Sequence, residues 1–217
     1  MKKIVIIGAG AMGSAFSVPC LENHNDVTLI GTHLEDDLIN SIKSNNNFHP
    51  ALEMELPSAL KVERFDKLNS ILLGDVDIIV AGVSSIGIKW FVDQISKNYR
   101  KNLPIILLTK GLAIEENKLI TLSDKIKKLL GEKGHTEINI SAIKGPCLAA
   151  GLANKMRTGT VIANPNIKET ELLKKMISTN YYSTEISDDL TGIELSGAIK
   201  NIYSMLIGAS EGLSNSK

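Results

Sequence analysis

A glycine-rich turn near the start of the chain carries its clearest chemical signal. The segment Gly8–Gly13 has the sequence GAGAMG and follows the apolar run Ile4–Ile7. The first glycine permits a tight turn, the second lets backbone amides approach a pyrophosphate, and the third lets the following helix pack close to the strand. The N-terminus of that helix adds partial positive charge. The turn therefore predicts a dinucleotide site with cofactor contacts from Gly8, Gly10, Ala11, Met12 and Gly13.

Two lysines stand in contexts that could support chemistry. Lys110 follows the apolar run Ile105–Leu108, and the C-terminal ends of such strands are where doubly wound sheets bind ligands. Lys200 stands beside Ile199 on a helical stretch, one turn after Ser196. Because lysines are mostly exposed in proteins, the residues alone favour solvated surface side chains at both positions.

Polar or small residues follow other apolar runs in the same way. Ser84 comes after Ile78–Val83 and is expected either to line the cofactor groove or to cap the helix predicted near Ile86. The segment Gly145–Cys147 follows the run Ile138–Ile143 and starts a helix, so its amides can face an anion.

The second predicted strand ends without the acidic residue that commonly binds the ribose hydroxyls of NAD. It runs into Thr32 and His33, and the first acid after it is Glu35. We therefore expect NAD or NADP as the cofactor, with dual use and NADP tolerated. Thr32 and His33 are predicted to lie beside the nucleotide.

These residues can form one site only if a β-sheet brings them together, and the order of apolar and helical stretches predicts such a sheet. Apolar strand-like runs alternate with helical stretches, which predicts parallel strands joined by right-handed crossovers. Residues 45–58 have no clear period and predict a long surface loop. The predicted strands are 3–8, 26–31, 60–65, 76–81, 104–108, 137–143, 158–163 and 181–185, and the predicted helices are 12–23, 34–45, 86–98, 115–130, 147–154 and 167–178.

The predicted fold class is α/β: a Rossmann-like, doubly wound, mostly parallel sheet followed by the first helix of an all-helical domain. The dinucleotide-binding domain is expected over residues 1–187 and the start of a helical substrate domain over residues 188–217. Apolar residues at helical spacing in the second part should form a face that stays partly uncovered, which predicts self-association as a homodimer. That face comprises Leu195, Ile199, Ile202 and Leu206.

Composition narrows the classes of partner. Lysine plus arginine equals aspartate plus glutamate at 24 each in 217 residues, so no net field favours nucleic acid. The longest apolar runs are strand-sized and too short to insert into a membrane. Because a strand is predicted from the first residues, we expect no signal peptide. Two cysteines favour a reducing cytoplasm. The four histidines show no metal-ligand spacing, so no metal is expected.

Four segments in combination resemble NAD(P)-dependent glycerol-3-phosphate dehydrogenase of the bacterial and archaeal type. The first motif is generic, whereas the other three are specific in this order and spacing, and the resemblance covers the whole chain. Members of this family continue into a helical substrate domain, of which this chain is expected to hold only the beginning. The four segments are Gly8–Ala15, Thr109–Leu112, Gly145–Ala149 and Gly192–Asn201.

The resemblance implies an enzyme that interconverts dihydroxyacetone phosphate and sn-glycerol 3-phosphate and feeds phospholipid synthesis. It implies that Lys200 donates and accepts the proton at the substrate oxygen, and that Lys110 contacts both substrate and cofactor. The family commonly has serine or alanine where Cys147 stands, and often arginine where Thr32 stands, so a strong clamp for a 2′-phosphate is absent. The remaining implied contacts are Gly145, Cys147 and Asn201 with substrate, and Ala149 with the cofactor.

Two other functions are compatible with the same features. A β-hydroxyacid or ketopantoate-type reductase also pairs a Rossmann domain with a helical domain and a catalytic lysine, and substrate profiling separates it from the first reading. A non-catalytic dinucleotide-binding module would bind cofactor without turnover.

Overall fold

The computed structural model describes residues 1–214, in which strands and helices alternate along the chain. The strands are β1 (Lys3–Ile7), β2 (Asp26–Ile30), β3 (Phe48–His49), β4 (Met54–Glu55), β5 (Lys61–Glu63), β6 (Ile78–Ala81), β7 (Ile105–Leu107), β8 (Leu112–Glu115), β9 (Lys118–Thr121), β10 (Ile140–Lys144), β11 (Thr158–Ala163) and β12 (Tyr182–Ser187). The helices are α1 (Ala11–Glu22), α2 (Asp36–Ser44), α3 (Leu68–Leu73), α4 (Ile88–Ile95), α5 (Leu122–Glu132), α6 (Ala149–Ala153), α7 (Ile167–Ile177) and α8 (Leu190–Ser214), with a short 3-10 helix at Phe65–Lys67.

Eight strands form one sheet in the order β12-β11-β10-β7-β6-β1-β2-β5. Every neighbouring pair is parallel except β10 and β11, which are antiparallel. From β1 the chain extends the sheet first through β2 and β5, and then on the other side through β6 and β7. The strand order therefore reverses between β1 and β6, and doubly wound sheets bind ligands beyond the C-terminal ends of strands at such a point. The predicted Rossmann-like, mostly parallel fold is confirmed.

The alternating side chains of the strands build a hydrophobic core on each face of the sheet. Ile4 and Ile6 of β1 join the core beneath α1, α2, α6 and α7, whereas Val5 and Ile7 join the core beneath α3, α4 and α5. Because both faces are covered by helices, the central strands are apolar at nearly every position. This burial fixes the C-terminal ends of β1, β6 and β7 as one edge.

Two segments differ from their predicted structure. Residues 45–58 contain the β3–β4 hairpin, in which His49, Leu52 and Leu56 are buried, and do not form a surface loop. The helix predicted from residue 115 begins only at Leu122, because residues 112–121 form the β8–β9 hairpin. The positive φ angles of Glu116 and Asn117, 49° and 62°, make its tight turn.

Helix α8 follows the last strand and packs on the sheet only through its first turns. Leu190 and Glu194 are buried, whereas Leu195, Ile202 and Leu206 are 40%, 54% and 58% exposed. The apolar face predicted to stay partly uncovered is thus open to solvent. The division of the chain at residue 187 stays a prediction, and residues 215–217 of the second part lie outside the described residues. Over residues 1–214, none of the helices combines the length and apolar character needed to cross a membrane.

Gly13→Ala should strongly destabilise the fold, because an added Cβ would overlap the carbonyl oxygen of Gly8, which is backbone and cannot move aside cheaply. Overpacking of this kind costs about 1–3 kcal/mol or more. Urea unfolding of the purified variant measures the loss.

Gly131→Ala is the matched control, since a Cβ added there in α5 meets nothing within 4 Å. It should leave stability unchanged or raise it by up to about 1 kcal/mol through helix propensity. Equal losses in both variants would contradict the packing argument.

Candidate functional site

The glycine turn brings the backbones of β1, α1 and β6 into close contact where the strand order of the sheet reverses. Gly8 directly follows β1 with φ +109°, and its N–H donates to the carbonyl oxygen of Ile30 at 2.8 Å. A Cβ on Gly8 would lie 2.7 Å from the carbonyl carbon of Gly82, just beyond β6. The bare backbone at Gly8, Gly13 and Gly82 therefore lets β1, α1 and β6 converge.

The start of α1 is open on its outer side. Gly10 is the capping residue of α1 and makes no side-chain hydrogen bond to the helix. The backbone amides of Ala11, Met12 and Gly13 have no acceptor within the helix, so the cap leaves them free to bind a ligand. A Cβ on Gly10 would meet only Oε1 of Glu35, at 4.0 Å. Uncapped amides facing open space fit a pyrophosphate.

Three side chains hold the turn from outside it. Nε2–H of His49 donates to the carbonyl oxygen of Ala9 at 2.9 Å, and Oγ of Ser14 donates to the same oxygen at 3.0 Å. The N–H of Ala9 in turn donates to Oε2 of Glu35 at 3.0 Å. His49 is fully buried, so it acts as a support for the turn. Sequence reasoning missed His49 because its segment lacks a periodic pattern.

The predicted contacts beside the turn lie in the loops after β2 and β6. The backbone N–H of Thr32 donates to Oε2 of Glu35 at 2.7 Å. The exposed ring of His33 packs on Trp90, with 5.0 Å between ring centroids. Ser84 is exposed after β6, and Gly87, rather than Ser84, caps α4. Of the two alternatives for Ser84, the capping role is therefore wrong.

Lys110 reaches across the same edge of the sheet. Oγ1 of Thr109 donates to the carbonyl oxygen of Val83 at 2.7 Å, which ties the turn after β7 to the turn after β6. Nζ of Lys110 then donates to the carbonyl oxygen of Gly145 at 3.4 Å, beyond β10. A small cavity joins this lysine to the first turn of α1. It is lined by Met12, Phe16, Leu108, Lys110, Ile143, Gly145, Cys147, Thr160 and Tyr182.

Lys200 and Asn201 lie side by side on α8, and both are exposed. The pKa of Lys110 is lowered first by partial burial and then by the positive charge of Lys200. A like charge acts in this way only over a short distance. The structure thus brings Lys110 and Lys200 into electrostatic contact, although they are 90 residues apart in the chain.

The turn after β10 is built by close packing. A Cβ on Gly145 would lie 2.7 Å from the carbonyl oxygen of Gly159. Cys147 is 5% exposed, and burial raises the pKa of its thiol, so it stays a protonated thiol. Ala149 opens α6, which is only five residues long. Gly145 and Cys147 line the cavity described above, whereas Ala149 is not among its lining residues.

A buried lysine beneath the site was not predicted. Lys144 ends β10 and is 4% exposed, and its Nζ donates to the carbonyl oxygens of Leu107 at 3.0 Å and Thr109 at 2.8 Å. Its stem packs against Gly197, where an added Cβ would lie 3.2 Å from Cδ. Lys144 therefore links the end of β7 and the turn that carries Lys110 to the helix that carries Lys200. It was not found from the sequence, because a lysine directly after the predicted strand 137–143 is expected to be exposed.

Glu194 completes this buried contact. It is 1% exposed, its Oε1 accepts from the N–H of Ser123 at 3.3 Å, and its Oε2 has no partner among the described residues. Burial lowers the pKa of Lys144 to about 8; the charge of Glu194 opposes that shift and the charge of Lys110 adds to it. Lys144 of β10 and Glu194 of α8 thus attract each other across the buried contact between the sheet and the helix.

A larger polar cavity lies at the opposite edge of the sheet, where the parallel strands begin. Its lining includes Asn102, Asn139 and Asn164. The amide of Asn164 already donates to Asn139, Ile140 and Ser141 at 2.8–3.0 Å. Since the described lysine and glycine motifs lie at the other edge, this cavity is separate from the candidate site.

Lys144→Met should change how stability depends on pH. The native pKa of about 8 lies below the ordinary 10.5, so between these values the unfolded chain holds a proton that the native chain lacks. Native stability therefore falls as pH decreases from 10.5 to 8, by up to about 1.4 kcal/mol per pH unit from this group. Urea unfolding across that window should show this slope in the native chain and its loss in the variant.

Lys97→Met, at an exposed position on the surface, is the matched control and should keep the native slope. Taking the difference between variant and native curves removes the contributions of other titrating groups. Parallel curves for the native chain and Lys144→Met would show that Lys144 keeps its proton in the fold.

Comparison with known proteins places these features in a family. A family model described as "NAD-dependent glycerol-3-phosphate dehydrogenase N-terminus" matches residues 3–170. The NADP(+)-dependent glycerol-3-phosphate dehydrogenase of Archaeoglobus fulgidus is 30% identical over 99% of this chain and 62% of its own length. The crystal structure of glycerol-3-phosphate dehydrogenase from Coxiella burnetii is similar with a TM-score of 0.79, at 25% identity over 98% of this chain and 62% of that chain.

A ketopantoate reductase from Ralstonia eutropha is a more distant neighbour, with a TM-score of 0.61 at 15% identity, and shows the fold alone. The chain spans 62% of the length of the archaeal relative. On the family match over residues 3–170, this chain belongs to the NAD-dependent glycerol-3-phosphate dehydrogenase family, whose N-terminal part it matches.

Proposed function

We propose that the protein interconverts dihydroxyacetone phosphate and sn-glycerol 3-phosphate with NAD or NADP, and so supplies a precursor of phospholipids. The observation that carries this proposal is the position of Lys110, which shares a cavity with Met12 of the glycine turn and lies close enough to Lys200 to feel its positive charge. A ketone bearing a phosphate is an anion whose carbonyl oxygen gains negative charge on reduction. Two ammonium groups at one sheet edge suit both charges.

The cofactor would be held by the glycine turn and the adjoining loops. The amides of Gly10–Gly13 would face the pyrophosphate, with Gly8 allowing the close approach. Thr32 and His33 would flank the adenosine end, while Ser84, Lys110 and Ala149 would line the nicotinamide side. When bound, the reduced nicotinamide supplies a hydride to the substrate carbonyl carbon. The name of the archaeal relative specifies NADP(+), whereas the family description specifies NAD. We therefore propose both cofactors.

Lys200 would give its proton to the substrate oxygen during reduction and take it back during oxidation. Lys110 would hold the substrate, and its own pKa is lowered first by partial burial and then by the positive charge of Lys200. Gly145 and Asn201 would contact substrate through a backbone amide and a side-chain amide. Cys147 would shape the substrate pocket as a buried, protonated thiol, because burial raises its pKa.

The proposed setting is a reducing cytoplasm. Cys20 and Cys147 are both free and buried, which suits a compartment in which disulfides do not form. The proposed partner is a small phosphorylated triose, with a second copy of the chain as a further one.

Lys200→Ala should abolish turnover while leaving cofactor binding intact. The measurement is oxidation of NADH and NADPH by the purified 217-residue chain, with and without dihydroxyacetone phosphate. Removing a general acid typically costs about 100-fold or more in rate. Lys175→Ala, at an exposed lysine of α7, is the matched control and should retain the native rate.

Outcomes other than substrate-dependent turnover identify the alternatives. Turnover with ketopantoate or a β-hydroxyacid, and none with the triose phosphate, would establish the related reductase. Binding of NADH without turnover of any of these substrates would make the 217-residue chain a dinucleotide-binding module. Absence of NADH and NADPH binding would overturn the proposal at its base.

The 217-residue chain should form a homodimer through the exposed apolar face of α8. Light scattering at high protein concentration should give a mass above that of the 23.5 kDa monomer, because contiguous apolar patches of this kind mark association surfaces. Leu206→Glu should return the mass to that of the monomer. Leu172→Glu, which places the same charge on an exposed leucine of α7, should not, and a monomeric native chain would contradict the prediction.

A further inference from the structure

Glu35 lies against the glycine turn although it follows the second strand by five residues. It caps α2, and its Oε2 accepts hydrogen bonds from the N–H of Ala9 at 3.0 Å and the N–H of Thr32 at 2.7 Å. One of these donors belongs to the glycine turn and the other to the turn after β2. The carboxylate is therefore fixed where these two turns meet.

The other carboxylate oxygen remains available to a ligand. Oε1 faces the open space above Gly10, where an added Cβ would lie 4.0 Å from it, and it makes no hydrogen bond with the described residues. Because Oε2 is already held by two amides, the side chain cannot turn away without losing both bonds. Oε1 is thus a preorganised acceptor beside the cofactor turn.

The surrounding charges make this corner acidic. Asp36 and Asp37 follow Glu35 directly, and the guanidinium of Arg64 donates to Asp36 at 2.6 Å. That arginine is therefore engaged by a carboxylate. A ribose diol can donate to a carboxylate, whereas a 2′-phosphate is repelled by it.

We propose that Glu35 reads the 2′-hydroxyl of the adenosine ribose and makes the chain favour NAD(H) over NADP(H). This rests on the dinucleotide site proposed above and deepens it. Oε1 accepts a hydrogen bond from the 2′-hydroxyl, and Oε2 keeps the carboxylate in place through the two amides. Glu35 takes the place of the acidic residue that usually ends the second strand in NAD-specific sites.

The test is direct binding to the purified 217-residue chain. NADH and NADPH are titrated separately, with quenching of Trp90, the only tryptophan, as the readout. The native chain should bind NADH about tenfold or more tightly than NADPH. Competition by ADP-ribose and by its 2′-phosphorylated form should show the same preference, which assigns it to the adenosine end.

Glu35→Gln keeps the size of the side chain and removes its charge. It should bring the two dissociation constants to within about threefold of each other, by weakening NADH and strengthening NADPH. Glu171→Gln removes the charge of an exposed carboxylate on α7, outside the acidic corner, and should leave the native preference unchanged. Thermal unfolding checks that both variants fold.

The outcomes separate this proposal from the dinucleotide site itself. Equal binding of NADH and NADPH by the native chain would overturn the role of Glu35 while leaving the site in place. Equal weakening of both nucleotides in Glu35→Gln would show that the carboxylate only ties the two turns together. Absence of binding of either nucleotide would overturn the site and the role of Glu35 together.

Discussion

The structure depends on direct backbone-to-backbone contact where β1, α1 and β6 meet, which only glycine permits. A Cβ on Gly82 would lie 2.9 Å from the carbonyl oxygen of Gly8, and one on Gly13 would overlap that same oxygen. Because these three positions are glycine, the first helix begins directly against the two central strands. Its uncapped N-terminus is thereby aimed at the edge of the sheet where the strand order reverses, and every proposed ligand contact is arranged around that point.

Buried polar groups then set the distance between the two lysines of the site. Lys144 bonds to the carbonyl oxygens of Leu107 and Thr109 and packs its stem against α8, while Glu194 of α8 accepts from Ser123. Desolvating a lysine is costly unless its protons find partners, so the arrangement is specific to one placement of the helix. The exposed Lys200 owes its position beside Lys110 to this buried contact.

How much could be read from the sequence depended on whether the signal was local. The glycine turn could be predicted because its strand, turn and helix are contiguous, and Lys110 because parallel strands share one C-terminal edge. The support from His49 could not, since it lies in a hairpin of two-residue strands without periodicity. The β8–β9 hairpin could not be predicted, because its turn residues Glu116 and Asn117 adopt positive φ angles within a stretch whose composition is typical of a helix. Lys144 and Glu35 needed tertiary contacts that spacing does not encode.

The central claim is that the turn Gly8–Gly13 receives the pyrophosphate of a dinucleotide. The most direct test follows the backbone amide resonances of the 217-residue chain during a titration with NADH. The account predicts saturable shifts that are largest at the amides of Gly10–Gly13 and at Glu35. Shifts centred instead on Asn102, Asn139 and Asn164 at the opposite edge of the sheet, or an absence of saturable shifts, would contradict it.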